Sequence, residues 1–472
     1  MSRTALSLLT LTIAVGLATP SSAAEQPNIV FILADDLGYT DLACYGSGYY
    51  RTPHLDRMAA EGMRFTDGYT CGPNCQPTRA ALMSGQYGPR NGNYTVGSID
   101  RFDWPSRPLR PADNATGLSP ETVTVAEALQ AAGYATALFG KWHLGEDEHR
   151  HPLAQGFDEA IVSSRRHFDF RTNPETPYPE GTYLADFLTD KSVDFIRRHQ
   201  DQPFFLYLPH FGVHSPFEAK ADLIESFAGA PPVGGHSDPV YAAMISSVDE
   251  SVGRILDLLD ELQLSERTLV IFSSDNGGVG GYERIGIHYK TPTDNAPLKA
   301  GKGTLYEGGV RVPYIFRWPG TIVAGAENAT PIISVDLYPT LLEVAGAAPP
   351  AEQILDGTSY LEVLQGAPAG ERPPLYWHFP GYLGANQGSW RTTPVGVVRQ
   401  GNWKLHEYFE DGRLELYDLS DDIGEEHNLA PSQPDRAARM LAQMRAWREL
   451  VDAPMPTPND PQPPTLKRRR RN

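Results

Sequence analysis

Four apolar runs in this chain end where reactive groups begin. Asn28–Ala34 leads into Asp35-Asp36, and Ala135–Phe139 into Gly140-Lys141-Trp142-His143. Phe204–Leu208 leads into Pro209-His210 and then His214, and Thr268–Phe272 into Ser273-Ser274-Asp275-Asn276. Asp35, Asp36, Asp275 and Asn276 all offer oxygen, the donor type that suits a hard divalent cation, Ca²⁺ before Mg²⁺. Taken alone, Asp35-Asp36 reads first as a helix cap or turn, and Asp275-Asn276-Gly277 equally as a turn. Lys141 and His143 alternate after their run, which places both on one side of an extended chain. Lys302, between Gly301 and Gly303, lies where the backbone can approach an anion closely, with Lys299 as its rival; His210 is the rival of His214.

The elements that must carry these groups follow from the same runs. Unbroken apolar stretches suit strands buried on both faces, as in a parallel sheet. Helical patterns lie between them. Pro120–Ala132 is expected to be helical, with Ser119 as its cap and Gly133 as its stop. Met244, Ile245, Val248, Val252, Ile255, Leu256 and Leu259 recur at spacings of three and four and give a long helix one apolar face. Strands alternating with helices predict an α/β fold with a large doubly wound mixed sheet flanked by helices, whose ligands bind beyond the carboxyl ends of the strands. From about Glu371 the texture changes to short strand-like pieces, 395–399, 403–408 and 415–417, and a helical stretch near 435–450. These predict a smaller C-terminal α+β subdomain with an antiparallel sheet. The expected organisation is 1–24 signal peptide, 25–370 catalytic domain, 371–453 C-terminal subdomain and 454–472 an unstructured, Pro-rich basic tail.

Composition narrows the partners. The 472 residues carry 40 Lys and Arg against 58 Asp and Glu, a net charge of −18. So acidic a body argues against nucleic acid as a partner, and any anionic substrate must be held by a local cluster of positive charge. Arg3, the apolar stretch Ala5 to Ala18 and the small residues up to Ala24 read as an export signal, giving a periplasmic or secreted protein with no membrane span in the mature chain. Three cysteines, Cys44, Cys71 and Cys75, are too few for a disulfide framework and odd in number.

One segment, Cys75-Gln76-Pro77-Thr78-Arg79-Ala80-Ala81-Leu82-Met83-Ser84-Gly85, carries a recognisable signature. It resembles that of the type I sulfatases of the alkaline phosphatase superfamily, Cys-x-Pro-Ser/Thr-Arg followed by a short helix, and the wider match is to bacterial polysaccharide sulfatases. Further family blocks follow in order: Asn28–Asp36 with Leu37-Gly38-Tyr39, Thr52-Pro53-His54-Leu55-Asp56, Gly140–Gly145, Ser274–Gly278, Gly301–Gly309, Gly401–Leu405 and Glu415–Leu419. Thr78 stands where many members have Ser. The resemblance implies an alkaline phosphatase-like fold, and that Cys75 is oxidised to Cα-formylglycine by a maturation enzyme, its hydrated aldehyde being the nucleophile. It assigns Asp35, Asp36, Cys75, Asp275 and Asn276 to one calcium ion. Arg79, one helical turn on, reaches back to the nucleophile's oxygens. Lys141 binds sulfate, and His143 accepts the proton when the hemiacetal sulfate breaks down. His214 and Lys302 serve as sulfate ligands and leaving-group acids.

The chemistry explains the residue types. Cleaving the S–O bond of a sulfate ester needs a strong nucleophile, neutralisation of the sulfuryl oxygens and an acid for the departing alkoxide. The expected function is therefore sulfate-ester hydrolysis on a sulfated carbohydrate. A phosphoester or phosphonate hydrolase on the same scaffold is the rival enzyme, and a catalytically silent carbohydrate-binding paralogue the rival of another class. If Cys75 is converted, Cys44 and Cys71 are the thiols left, and their Cα separation decides whether they pair. Loops 86–118, 145–182, 278–297 and 380–394 are the expected walls of the substrate site, with Arg165, Arg166 and His167 as candidates for a second anionic group.

Overall fold

All seven residues of the strand Asn28–Ala34 are buried, and their alternation divides the hydrophobic core in two. Ile29, Phe31 and Leu33 face one cluster, while Val30, Ile32 and Ala34 face the other. In this computed structural model, which describes residues 26–384 and 389–463, that strand is the centre of a nine-stranded sheet. The four runs expected as strands lie side by side at its middle, all parallel, in the order Thr268–Ser274, Asn28–Ala34, Phe204–Pro209 and Ala135–Gly140. Tyr314–Arg317 joins Thr268–Ser274 antiparallel and makes the sheet mixed. Helices Leu184–Arg198 and Pro239–Glu261 cover the Val30 face, and helices Cys75–Ser84, Val125–Ala131 and Leu337–Ala345 the Ile29 face. The doubly wound expectation holds.

The long helix starts where its cap says it should. Asp238 accepts from the N–H groups of Val240 and Tyr241, with Pro239 at the first position. The expectation for Pro120–Ala132 is corrected: that helix begins only at Val125. Thr124 accepts from the Glu127 N–H at 3.1 Å, and Glu127 accepts from the Thr124 N–H at 2.7 Å. This reciprocal box outcompetes the Ser119-Pro120 signal.

A four-stranded antiparallel sheet forms the C-terminal part, ordered Leu375–Phe379, Val395–Gln400, Trp403–Tyr408 and Leu414–Asp418. Val398 and Leu405 pack on helix Pro434–Leu450 through Met440 and Met444, whereas Val397 and Trp377 pack on Leu305 and Val310 of the catalytic part. Buried charge reinforces that junction. Lys404 Nζ lies 2.8 Å from Glu307 Oε1 and 3.0 Å from Glu425 Oε1.

Two further expectations change. The stretch from Pro454 was expected to be unstructured, yet Thr457–Pro458 pairs antiparallel with Leu109–Arg110, and Asn459 donates to the carbonyls of Pro105 and Arg107. Cys44 and Cys71 do not pair. Cys44 packs against the Val30 cluster, while Cys71 belongs to the core shared with the C-terminal sheet. The signal segment 1–24 and the basic run Lys467–Arg471 lie outside the described residues. Among the described residues, no helix is long and apolar enough to cross a membrane.

Candidate active site

Helix Cys75–Ser84 is buried at all ten positions. Asn74 precedes it in extended conformation, and Gly85 ends it in the left-handed conformation, φ 67°, donating its N–H to Ala81. Pro77 falls in the first turn, where a missing N–H costs no intrahelical bond. The helix thereby presents Cys75 at its first position, against the carboxyl ends of the central strands.

Around that position the structure gathers the groups that the chain scatters. Cys75 Sγ is 3.5 Å from Asp35 Oδ1, 3.9 Å from Asp36 Oδ1 and 3.4 Å from Lys302 Nζ. Lys302 Nζ is also 2.6 Å from Asp36 Oδ1, and Lys141 Nζ is 2.6 Å from Asp35 Oδ2. Arg79 donates from Nε to Asp275 Oδ2 at 2.8 Å and from Nη1 to the Lys141 carbonyl, and its Nη2 lies 2.7 Å from the same Asp275 oxygen as an ion pair. Its fork thus locks one carboxylate. Asp275 Oδ1 in turn accepts the Asp36 N–H at 3.2 Å. His214 Nε2 stands 3.7 Å from Asp36 Oδ2. Lys141 and His143 both reach the site, but not by strand alternation. His143 is in the left-handed region, φ 67°, as is Asp36, and such conformations in non-glycine residues concentrate at functional sites.

Cys75, His143, His214 and Lys302 line a cleft of about 320 Å³. The rivals lie elsewhere. His210 is buried and bonded to Ser251 Oγ at 2.9 Å. Lys299 donates to the Glu425 carbonyl and stacks over Tyr306. Neither Arg165 nor Arg166 lines the cleft, and both are exposed. His167 is buried behind it, its Nε2 2.8 Å from the His214 carbonyl. Arg101, Phe102 and Arg391 do line the cleft and were not singled out from the sequence. They lie within two of the loops expected to wall it, but loop composition does not say which side chain turns inward.

The electrostatics fit a site built for anions and a cation together. Burial, with Asp275 nearby, pushes the Cys75 thiol up to about 12. As a free thiol it therefore stays protonated at neutral pH. Burial, with Asp35 beside it, raises Asp275 to about 6. Burial works against the Lys302 charge, but Asp36 together with Cys75, Asp35 and Asp275 outweighs it and holds the amine well above the ordinary lysine range. Burial, with Lys141 nearby, keeps His143 neutral. Burial lowers His214 to about 4.

The donor set accommodates a metal ion. Ligand atoms of Asp35, Asp36, Cys75 and His214 all lie within 4.8 Å of one another. Asn276 Oδ1 is buried without a hydrogen-bond partner, while its Nδ2 donates to Asp36 Oδ1 at 2.9 Å. An orphaned buried acceptor beside carboxylates is what a hard cation would satisfy.

Comparison with known proteins gives the chain its family. A family model described as Sulfatase matches residues 27–347, and one described as N-sulphoglucosamine sulphohydrolase, C-terminal, matches 301–449. A protein named Sulfatase from Formosa agariphila is 35% identical, covering 92% of this chain and 91% of its own. The N-acetylgalactosamine-6-sulfatase of Canis lupus familiaris is 36% identical, covering 79% of this chain and 72% of its own. Among solved structures, Ps i-CgsB superposes with a TM-score of 0.75 at 29% identity, covering 90% of this chain and 93% of its own; it has also been solved with k-i-k-neocarrahexaose.

Proposed function

The chain belongs to the sulfatase family and is a sulfuric ester hydrolase, and from that premise we propose that it removes sulfate from a sulfated carbohydrate by S–O cleavage. The reading rests on one observation above all: three cations surround a buried, weakly acidic cysteine and its carboxylates, Lys302 on the Cys75 sulfur, Lys141 on Asp35 and Arg79 on Asp275. Conversion of Cys75 to formylglycine would supply a geminal diol in its place, one oxygen to attack sulfur and the other to release sulfate by collapse to the aldehyde. A divalent cation held by Asp35, Asp36, Asn276 and residue 75, with Asp275 behind them, would withdraw charge from the sulfuryl oxygens.

The protein's own side chains do the rest. Lys141 and Lys302 hold the sulfate oxygens. Arg79 fixes Asp275, which orients the diol and draws on its proton. On the cleft side Lys302, held charged, would protonate the departing alkoxide, and His214 beside it would share that role once the bound sulfate's negative charge restores its proton. His143 is held neutral and unpartnered at Nδ1, free to take the proton when sulfate leaves. Arg3 and the apolar Ala5–Ala18 segment support action outside the cytoplasm, periplasmic or secreted, and a maturation enzyme is the partner that the conversion of Cys75 requires.

The experiment is a paired one. Active protein from a host that carries out the conversion is analysed by peptide mass spectrometry at residue 75 and assayed on matched sulfate and phosphate esters. Formylglycine at residue 75 with hydrolysis of the sulfate ester supports the reading. Activity with residue 75 still an ordinary cysteine overturns the nucleophile, and preference for the phosphate ester overturns the reaction.

A further inference from the structure

The cleft has a second basic feature, set apart from the reacting centre. Arg391 lies directly against Gly303, the neighbour of Lys302; a Cβ on Gly303, at φ 92°, would come within 2.9 Å of Arg391 Cδ. Its guanidinium stacks over Tyr282 at 4.6 Å and donates to Tyr289 Oη, while its Nε is buried without a partner. Across the same cleft, Arg101 stacks over Phe102 at 5.3 Å. Phe102 packs in turn against Gly384 and Trp390, so the two walls interlock.

Neither arginine has a carboxylate partner among the described residues. Arg107 of the same wall does, pairing with Glu410 at 2.6 Å. With 58 acidic residues against 40 basic ones, counter-charges are abundant in this chain. A guanidinium fixed by aromatic stacking, with donors to spare and no carboxylate paired to it, is pre-organised for a planar or tetrahedral oxyanion. Sulfate bound at Lys141 and Lys302 already accounts for the first anion.

The geometry points to Arg391, assisted by Arg101, as a subsite for a second anionic group of the substrate, a carboxylate or a second sulfate on the sugar that bears the scissile ester or on its neighbour. The substrate class is thus a polyanionic glycan rather than a singly sulfated one. This rests on the sulfatase reading and deepens it.

Three probes separate the sources: N-acetylgalactosamine 6-sulfate with one anion, its 4,6-disulfate with a second sulfate, and a 6-sulfated uronate-containing chondroitin disaccharide with a carboxylate. For the converted enzyme, kcat/KM on at least one doubly charged probe exceeds that on the singly charged one. Arg391→Gln lowers that ratio tenfold or more, and Arg391→Lys lowers it less. Preference for the disulfate assigns the subsite to sulfate, and preference for the disaccharide assigns it to carboxylate. A wild-type ratio near one, or a ratio that Arg391→Gln leaves unchanged, overturns the subsite. Calorimetric binding of the same probes to Cys75→Ala protein, with and without Arg391→Gln, gives the second readout. Tenfold weaker binding of the doubly charged probe without Arg391 upholds the subsite even where none of these sugars is turned over, a result that would count against the galactosamine 6-sulfate ester as the scissile group instead. Equal binding overturns it.

Discussion

Lys302 Nζ lies 3.4 Å from Cys75 Sγ, across 227 positions of chain, and 2.6 Å from Asp36 Oδ1 on its other side. One amine therefore touches both the residue proposed as nucleophile and a carboxylate proposed to hold the cation. The loop that delivers it is closed by backbone bonds, Lys302 N–H to the Gly278 carbonyl at 3.0 Å and Gly303 N–H to the Pro73 carbonyl at 2.7 Å. Lysine is placed here by the backbone, before its side chain contributes anything.

Removing that amine should cost catalysis more than folding. Lys302→Met is expected to lower kcat/KM by roughly 10² to 10³, the range for loss of one pre-placed charge at a reacting anion. Thermal melting and circular dichroism check that the fold persists. A variant that keeps more than a tenth of the wild-type rate would remove Lys302 from the machinery.

Removal of divalent ions gives a stability readout independent of turnover. Chelation is expected to lower the melting temperature and Ca²⁺ to restore it, more effectively than Mg²⁺. An ion at a hundred times its Kd adds about 2.7 kcal/mol to the folded state. Asn276→Ala should weaken the Ca²⁺-dependent shift, since it removes the orphaned acceptor Oδ1. An unchanged melting curve with and without Ca²⁺ would remove the metal from this site.

The strands and most of the site were legible in the sequence because one physical constraint wrote both. A strand such as Asn28–Ala34, covered on two faces, has to be apolar throughout, so the first polar residues after it mark the sheet's edge, where Asp35 and Asp36 stand. Arg391 was not legible in that way. Its inward aim depends on the absence of a side chain at Gly303 and on rings from Tyr282 and Tyr289, far away in sequence. The early start predicted at Pro120 failed for a local reason, the stronger reciprocal cap at Thr124 and Glu127.

His210 supplies a pH test away from the cation site. Burial lowers it to about 4, against an ordinary value of about 6.5. Between those values the unfolded chain holds a proton that the folded chain does not. Its contribution is complete above about pH 6.5 and is lost as the pH falls toward 4, with a slope of up to about 1.4 kcal/mol per pH unit. Melting temperatures of wild type and His210→Gln, measured from pH 7 to pH 4.5, should show the steeper decline in the wild type. Parallel curves would refute a neutral, buried His210.

Lys404 tests how firmly the C-terminal sheet is joined to the catalytic part. It is fully buried between Glu307 and Glu425. Lys404→Met leaves Glu307 to Arg311 and Glu425 to His406, and is expected to destabilise by up to about 3–5 kcal/mol, the range for breaking a buried pair. Glu425→Gln, which lowers the negative charge, should recover part of that loss in the double variant. Additive effects of the two changes, measured by chemical denaturation, would show that the groups do not act together.

Burial of Cys75 also fixes an order in time. A side chain 2% exposed, at the floor of a narrow cleft on the first turn of a buried helix, cannot enter another protein's catalytic pocket once the chain has folded around it. Under the proposed conversion, the maturation enzyme would have to meet the segment from Cys75 to Arg79 as an open strand of nascent or newly exported chain. On that reading a molecule that folds first would be trapped as an intact but inert twin, and only unfolding would give it a second chance.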